Sequence, residues 1–314
     1  MQGTDSQVAI QRQASVSSTV NVVFIRSTLV LAVGLGVLLF SIAALVAYQA
    51  GPAIGKFGLN FIFSTTWNPV ENLYGAWPHI YGTLVSSAIA LIIAVPIGIA
   101  VALFLSEDFL PSRVQQPLAF LIELLAAIPS VVYGLWAIFV LIPLMTPMGN
   151  WLYANLGWIP LFSTPPRGPG MYVAGVVLSI MILPIIAAIS RDALISVSPD
   201  LRQAAVGLGA TRWETIFKVM LPAASSGIVG GIMLALGRAL GETMAATMVI
   251  GNSNNISSSL FAPGSTIASL LANQFAEAGG LQVSALMYAA LILFGLTLLV
   301  NIFAELLVRR VRQV

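Results

Sequence analysis

Along this chain polar and apolar positions fall into long blocks, without the period of a half-buried strand or a surface helix. A bilayer core takes roughly 20 apolar residues of helix, and six nearly uncharged runs reach that length. They are Ser27 to Tyr48, Gly82 to Leu105, Leu118 to Leu144, Met171 to Ser190, Ala223 to Ile250 and Leu281 to Val308. The pattern predicts an all-α integral membrane protein with six transmembrane helices, the longer ones tilting or protruding. The first run exceeds the apolar stretch of a cleaved leader, roughly 7–15 residues, and is expected to be a retained anchor. Residues 1–26 read as a polar, disordered tail, 27–308 as a single transmembrane domain and 309–314 as a short basic tail.

Between the runs, two features carry local structure. Ser265 to Ala276 sets Ile267, Leu270, Leu271 and Phe275 at helical spacing but is too short to span, so a short helix outside the bilayer core is expected. Pro96, Pro129, Pro143 and Pro184 lie inside the runs, where each removes a backbone donor and tends to kink its helix.

Composition agrees with the pattern. The chain is 58% hydrophobic and 8% charged over 314 residues, with a mean hydropathy of +0.97, whereas soluble domains carry about 25% charged residues. The surface therefore needs lipid. A net charge of +2 is too small to argue for nucleic acid, and the absence of cysteine excludes disulfides, thiolate zinc sites and iron–sulfur clusters.

The distribution of the few charges sets the orientation, because basic residues near span ends stay cytoplasmic. With the N-terminus inside, Arg12, Arg26, Arg113, Arg191, Arg202, Arg212, Lys218, Arg309, Arg310 and Arg312 face the cytoplasm, and only Lys56 and Arg167 lie outside. Both termini are expected to be cytoplasmic. Trp67, Trp77, Trp151 and Trp158 fall in the outer loops near span ends, where amphipathic rings favour the interface. His79, beside Pro78, reads as a loop residue just outside the second span. Glu123 and Glu305 read as carboxylates near inner span ends, within reach of headgroups or Arg.

The loop from Ser198 to Pro222 is the most informative segment. Ser198 is a good N-cap, with Pro199 in the first helical position and Asp200 favourable to the dipole. Gly207 and Gly209 should stop this helix, and Thr211 with Glu214 forms a capping box that starts a second. Helix, glycine turn and capped helix make a compact knob suited to a partner's cleft.

Gln203-Ala204-Ala205, three residues, Gly209, nine residues, then Val219-Met220-Leu221-Pro222 resembles the EAA loop of ABC importer permeases, in spacing and in its place between late spans. Gln203 stands in the family's Glu position and Val219 in its Ile position, so any partner contact made by the family glutamate becomes a neutral hydrogen bond here. The resemblance implies a fold like the type I ABC importer permeases. It also implies a non-catalytic subunit without cofactor, and an ATPase that grips Gln203, Ala204, Ala205, Gly209, Arg212, Glu214, Leu221 and Pro222. Consistent with this, the chain holds no phosphate-binding loop of its own, and its lysines are Lys56 and Lys218.

The fifth run holds the only deep charges, Arg238 and Glu242. Each costs about 2.5–3.5 kcal/mol or more at mid-membrane, so they are expected to face a partner helix or water. Four residues apart, they should share a helical face and be able to pair. Gly227, Gly230, Gly231, Gly237 and Gly241 open the backbone to close approach, which suggests a central helix at a subunit interface. An Arg guanidinium presents a planar fork to phosphate or carboxylate oxygens, and Glu242 could hold that fork when no oxyanion is present.

Gly237-Arg-Ala-Leu-Gly-Glu-Thr-Met-Ala-Ala-Thr-Met-Val-Ile-Gly-Asn252 is similar over its length to a stretch of the phosphate-specific branch of these permeases. So are Trp67-Asn-Pro, Tyr74-Gly75 and Ile80-Tyr81-Gly82-Thr83-Leu84, and the likeness extends from Phe61 to the C-terminus. It implies a heterodimer with a second phosphate permease, a cytoplasmic ATPase dimer, an external phosphate-binding protein and a place in the bacterial inner (plasma) membrane. The scarcity of deep charges makes Arg238, with Glu242, the expected anion path. The alternatives are a permease for sulfate, molybdate or tungstate, or an ion-coupled secondary carrier. The carrier is disfavoured by the single deep charge pair and the lack of an inverted repeat. An intramembrane enzyme lacks a His or Asp in any span, and no His-Glu-x-x-His motif is present.

Overall fold

The computed structural model describes residues 3–107, 109 and 111–311, and side chains for 21–107, 109, 111 and 113–306. Thirteen α-helices follow in order: α1 (Gly3–Phe57), α2 (Asn60–Phe63), α3 (Trp77–Ser106), α4 (Ser112–Ala126), α5 (Ser130–Trp136), α6 (Ile142–Leu156), α7 (Met171–Ile195), α8 (Pro199–Gly207), α9 (Arg212–Thr215), α10 (Leu221–Gly241), α11 (Met244–Val249), α12 (Ile267–Gln274) and α13 (Leu281–Val311). Among the described residues, six helical stretches are long and apolar enough to cross a membrane. The chain divides into two units between Gln49 and Ala50.

The described residues of the first unit are helix alone. The structure carries α1 back to Gly3, where a disordered tail was expected. Neither proline nor glycine occurs from Thr4 to Val33, so nothing in that stretch stops a helix once the anchor has nucleated it. Met1, Gln2 and residues 312–314 of the basic tail lie outside the described residues; 309–311 continue α13.

The third span differs from its expected bounds. The run from Leu118 to Leu144 is two helices: α4 ends at Ala126, and the crossing stretch is Ser130–Leu156. Pro129 lies at the break, in extended conformation with φ −59° and ψ 138°. It disfavours helical geometry in the residue before it and so separates two apolar helices that hydropathy alone merges. Pro143 and Pro222 are accommodated differently. Each follows a π turn, Ala137–Leu141 and Ile216–Met220 respectively, which widens the helix where the proline lacks its donor. The crossing stretches therefore run on through both prolines.

In the second unit the core is built around α7, with the fifth span packed against it. Ala90, Ala94, Gly98 and Ala102 recur every four residues on α3 and are all buried. Small residues at this spacing let two backbones approach closely. The helix that fills the approach is α7, running in the same direction. A Cβ on Gly98 would lie 2.8 Å from Ile186, and one on Gly175 would lie 2.5 Å from Ile89. On its other side α7 takes α10, whose Gly227 and Gly231 lie against Ala193 and Ile189. Leu178, Ile182 and Ile186 are thus buried with Ala90 and Ala94 on one side and Ala235 and Ala239 on the other.

The end of the bundle away from the knob is an aromatic cap. Phe61 stacks on Tyr288 at 4.5 Å, and Trp67 meets Tyr74 edge-on at 5.0 Å. Trp67 is therefore core and not an interfacial anchor: it is 7% exposed and donates Nε1–H to Gln274 Oε1 at 2.8 Å. Trp151 and Trp158 remain exposed. His79 is likewise no loop residue. Pro78 occupies the first turn of α3 and starts the helix, so His79 is carried inside it, fully buried with its ring 5.4 Å from Trp67.

Gly82 marks the tightest approach at this end, where a Cβ would collide with the Ser265 carbonyl and Thr83 Oγ1 accepts the Ile267 N–H at 3.0 Å. Gly82→Ala should destabilise the cap by about 1–3 kcal/mol. The measurement is thermal unfolding of the purified protein in detergent, and an unchanged midpoint would show that the Ser265 backbone yields without strain.

Candidate functional site

The knob forms as its capping residues dictate. Ser198 Oγ accepts the Asp200 N–H at 3.3 Å, and Pro199 opens α8. Gly209 turns the chain at φ +86°, a conformation that a side chain would strain. The Thr211 N–H then donates to Glu214 Oε2 at 3.0 Å, while the Glu214 N–H donates to Thr211 Oγ1 at 3.4 Å, so the capping box is complete. Lys218 Nζ donates to the other Glu214 oxygen at 3.1 Å.

Of the residues expected to meet a partner, Gln203, Ala204, Gly209 and Arg212 are exposed, Ala205 is buried beneath them and Glu214 is half-buried. Leu221 is half-buried and Pro222 exposed, both in the first turn of α10. The knob also carries an apolar surface: Leu208 at its tip is 90% exposed, with Val206, Trp213 and Phe217 open around it. The expected second short helix does not end. Through the π turn, α9 continues into α10, so Arg212–Gly241 is one rod of 30 residues, about 45 Å long at 1.5 Å per residue.

Arg238 lies near the far end of that rod. It is half-buried and lines an open groove of about 700 Å³ with Gly230, Met233, Gly237 and Asn301. Gly230, Gly237 and Gly241 have no neighbouring atom within 4 Å of a Cβ position. The glycines expected to open one face therefore serve two, with Gly227 and Gly231 packed on α7 and the other three facing the uncovered side.

Arg238 and Glu242, whose spacing would allow them to pair, do not pair with each other. Among the described residues the ion pairs are Arg191–Asp192, Arg202–Glu107 and Lys218–Glu214. α10 stops at Gly241, Glu242 is extended with ψ 123°, and its Oε1 accepts the Ala245 N–H at 3.3 Å, capping α11. Four residues on a continuous helix would share a face; the break removes that face. A guanidinium with no carboxylate partner among the described residues, in an open groove, can take up an oxyanion through its planar fork. Among the described residues no three His, Cys, Asp or Glu come together as a metal site requires.

Two groups beside the expected ones were not identified from sequence. Asn301 on α13 shares the groove with Arg238, and its Oδ1 is buried without a hydrogen-bond partner among the described residues. An amide inside an apolar run was the available signal. Glu107, at the end of α3, pairs with Arg202 of the knob at 2.6 Å; the sequence carries no sign of that pairing across 95 positions.

Residues 94–313 match the family described as binding-protein-dependent transport system inner membrane component. Over 295 residues the chain is 45% identical to the phosphate transport system permease protein PstC of Haemophilus influenzae, covering 92% of this chain and 93% of that one. It is 39% identical to the probable phosphate transport system permease protein PstC of Methanocaldococcus jannaschii, over 85% and 86% of the two chains. A chain of a bacterial ABC transporter that imports the acidic polysaccharide alginate superposes with a TM-score of 0.53 at 18% identity, covering 88% and 94%. The inward-facing MetNI methionine ABC transporter gives 0.53 at 18% identity, covering 78% and 99%. At such identity these two likenesses speak for the fold alone.

Proposed function

Because the chain belongs to the family of binding-protein-dependent transport system inner membrane components, we propose that it is the membrane permease subunit of an ATP-driven importer of inorganic phosphate. The observation that carries this reading is the Arg212–Gly241 rod, which joins an exposed knob to a groove lined by the Arg238 guanidinium, in a chain 45% identical to a phosphate permease. Arg191, Arg202, Arg212 and Lys218 cluster around the knob, which by the positive-inside rule lies in the cytoplasm with both termini. The membrane is the bacterial inner membrane.

The knob receives a separate ATPase dimer. Exposed Leu208, Trp213 and Phe217 supply apolar anchors, and Gln203 contributes a neutral hydrogen bond. A second phosphate permease covers the open face of α10, completing a path of which this chain forms half, and an external binding protein delivers the anion. ATP closes the ATPase dimer and draws the knobs together, and the rods turn with them because no flexible loop separates knob from span. Phosphate then meets Arg238, whose fork replaces part of the water shed by the anion. Hydrolysis restores the inward-open state. The chain itself performs no catalysis.

The test is phosphate uptake into liposomes holding both permeases and the ATPase, with loaded binding protein outside. Uptake should require ATP and be competed by phosphate over sulfate, molybdate or tungstate. Preference for one of these would reassign the substrate, and uptake that follows an ion gradient without ATP would indicate a secondary carrier.

A further inference from the structure

The connector that leaves α3 touches both helices of the knob. Glu107, 4% exposed, accepts from Arg202 Nη2 of α8 at 2.6 Å. Two residues later the Phe109 ring lies 3.8 Å from the Arg212 guanidinium and 5.9 Å from the Trp213 ring, both on α9. The same ring stacks on Phe104 of α3 at 5.9 Å, and the Gln115 amide of α4 donates to the Leu105 carbonyl of α3. Contacts on either side of the Gly209 turn thus converge on one short segment rooted in the second span.

These contacts matter mechanically. α8 is nine residues long and is joined to α9 through a glycine in left-handed conformation, a place where the chain can swivel. A load on the knob would be absorbed by that swivel unless something holds the two short helices together. A buried carboxylate is stable only while its charge is matched, so the Glu107–Arg202 contact resists opening in a way that the exposed Lys218–Glu214 pair does not. The guanidinium over the Phe109 ring adds a second hold on α9.

We propose that Glu107 and Phe109 are positioning residues that clasp the knob to α3, so that ATPase motion reaches the second span as well as the α10 rod. This rests on the reading of the knob as the ATPase contact. In the assembled transporter, Glu107→Gln should retain the ATPase and its hydrolysis without binding protein. The phosphate carried per ATP should fall about fivefold or more, the lower range of coupling between sites. The exchanged pair Glu107→Arg with Arg202→Glu should restore the ratio, which a merely structural loss would not do. A wild-type ratio in Glu107→Gln overturns the proposal.

Should that variant fail to assemble, Glu107→Cys with Arg202→Cys decides the matter. The chain has no other cysteine, and removing both charges avoids stranding one of them. Bridging the two thiols with a short bifunctional reagent should raise phosphate per ATP above that of the unbridged protein, and equal ratios overturn the proposal. Failure of the underlying reading has a different signature: Leu208→Asp would leave the ATPase bound. If Leu208→Asp releases the ATPase while Glu107→Gln couples normally, only the clasp is wrong.

Discussion

Replacing Arg238 by alanine is expected to lower phosphate uptake at least about 100-fold, because a guanidinium fork makes two charge-assisted hydrogen bonds of about 1.5–3 kcal/mol each. No oxyanion receives comparable help from the other residues of the groove, which are glycine, apolar side chains and one amide. The protein itself should fold normally. Removing one partner of a buried ion pair strands the other charge, but no ion pair among the described residues includes Arg238. ATPase association should persist as well, since Arg238 is about 26 residues along the rod from Arg212, about 39 Å. Arg238→Lys keeps the charge and loses the fork, so its uptake should fall between the two. The measurement is initial uptake of labelled phosphate beside co-purification of the ATPase, and normal uptake by the alanine variant would remove Arg238 from the path.

The second large effect lies at the other end of the same rod. Leu208→Asp should release the ATPase, weakening its binding roughly 30-fold to 150-fold. Burying a leucine side chain contributes about 2–3 kcal/mol, and every 1.4 kcal/mol is about tenfold in affinity. An aspartate in the same apolar cleft would also be desolvated without a partner. Leu208 is 90% exposed in the isolated chain and supports no internal packing, so the folded permease should be unaffected. Binding of purified ATPase to permease in detergent measures the effect, and unchanged affinity would place the ATPase contact elsewhere.

Much of the knob is legible in the amino-acid sequence. Ser198 with Asp200 and Thr211 with Glu214 form the caps that their spacing implies, because a cap is satisfied within four residues and needs no distant partner. Gly209 turns the chain where a turn was expected, for the same local reason. The number of crossing helices and the short α12 are equally readable, since the length and apolarity of a run are properties of the run.

Continuity is not readable. Hydropathy joins α4 to α5, and it carries α10 straight through Glu242, because an apolar run scores the same whether or not its backbone hydrogen bonds are interrupted. The break at Pro129 parts two helices, whereas the helices run on through Pro143 and Pro222, each of which follows a π turn. The break at Glu242 removes the shared helical face expected from four-residue spacing. Burial misleads in the same way, since Trp67 and His79 look like boundary residues in sequence yet lie in the aromatic cap.

The sequence by itself determined a six-span membrane protein, its capped knob and the presence of an arginine inside the fifth apolar run, because hydropathy, capping chemistry and residue identity act over one or two helical turns. The tertiary structure decided that α7 is the central helix, that knob and Arg238 share one rod, that Glu242 caps α11 without pairing with Arg238, and that Glu107 holds Arg202. The first and last of these depend on which group stands opposite another across distant parts of the chain; the other two depend on where the backbone hydrogen bonds of one stretch persist or break. The place of α7 rests on the fit of the Ala90–Ala102 stripe and Gly175 between α3 and α7, which no single segment contains.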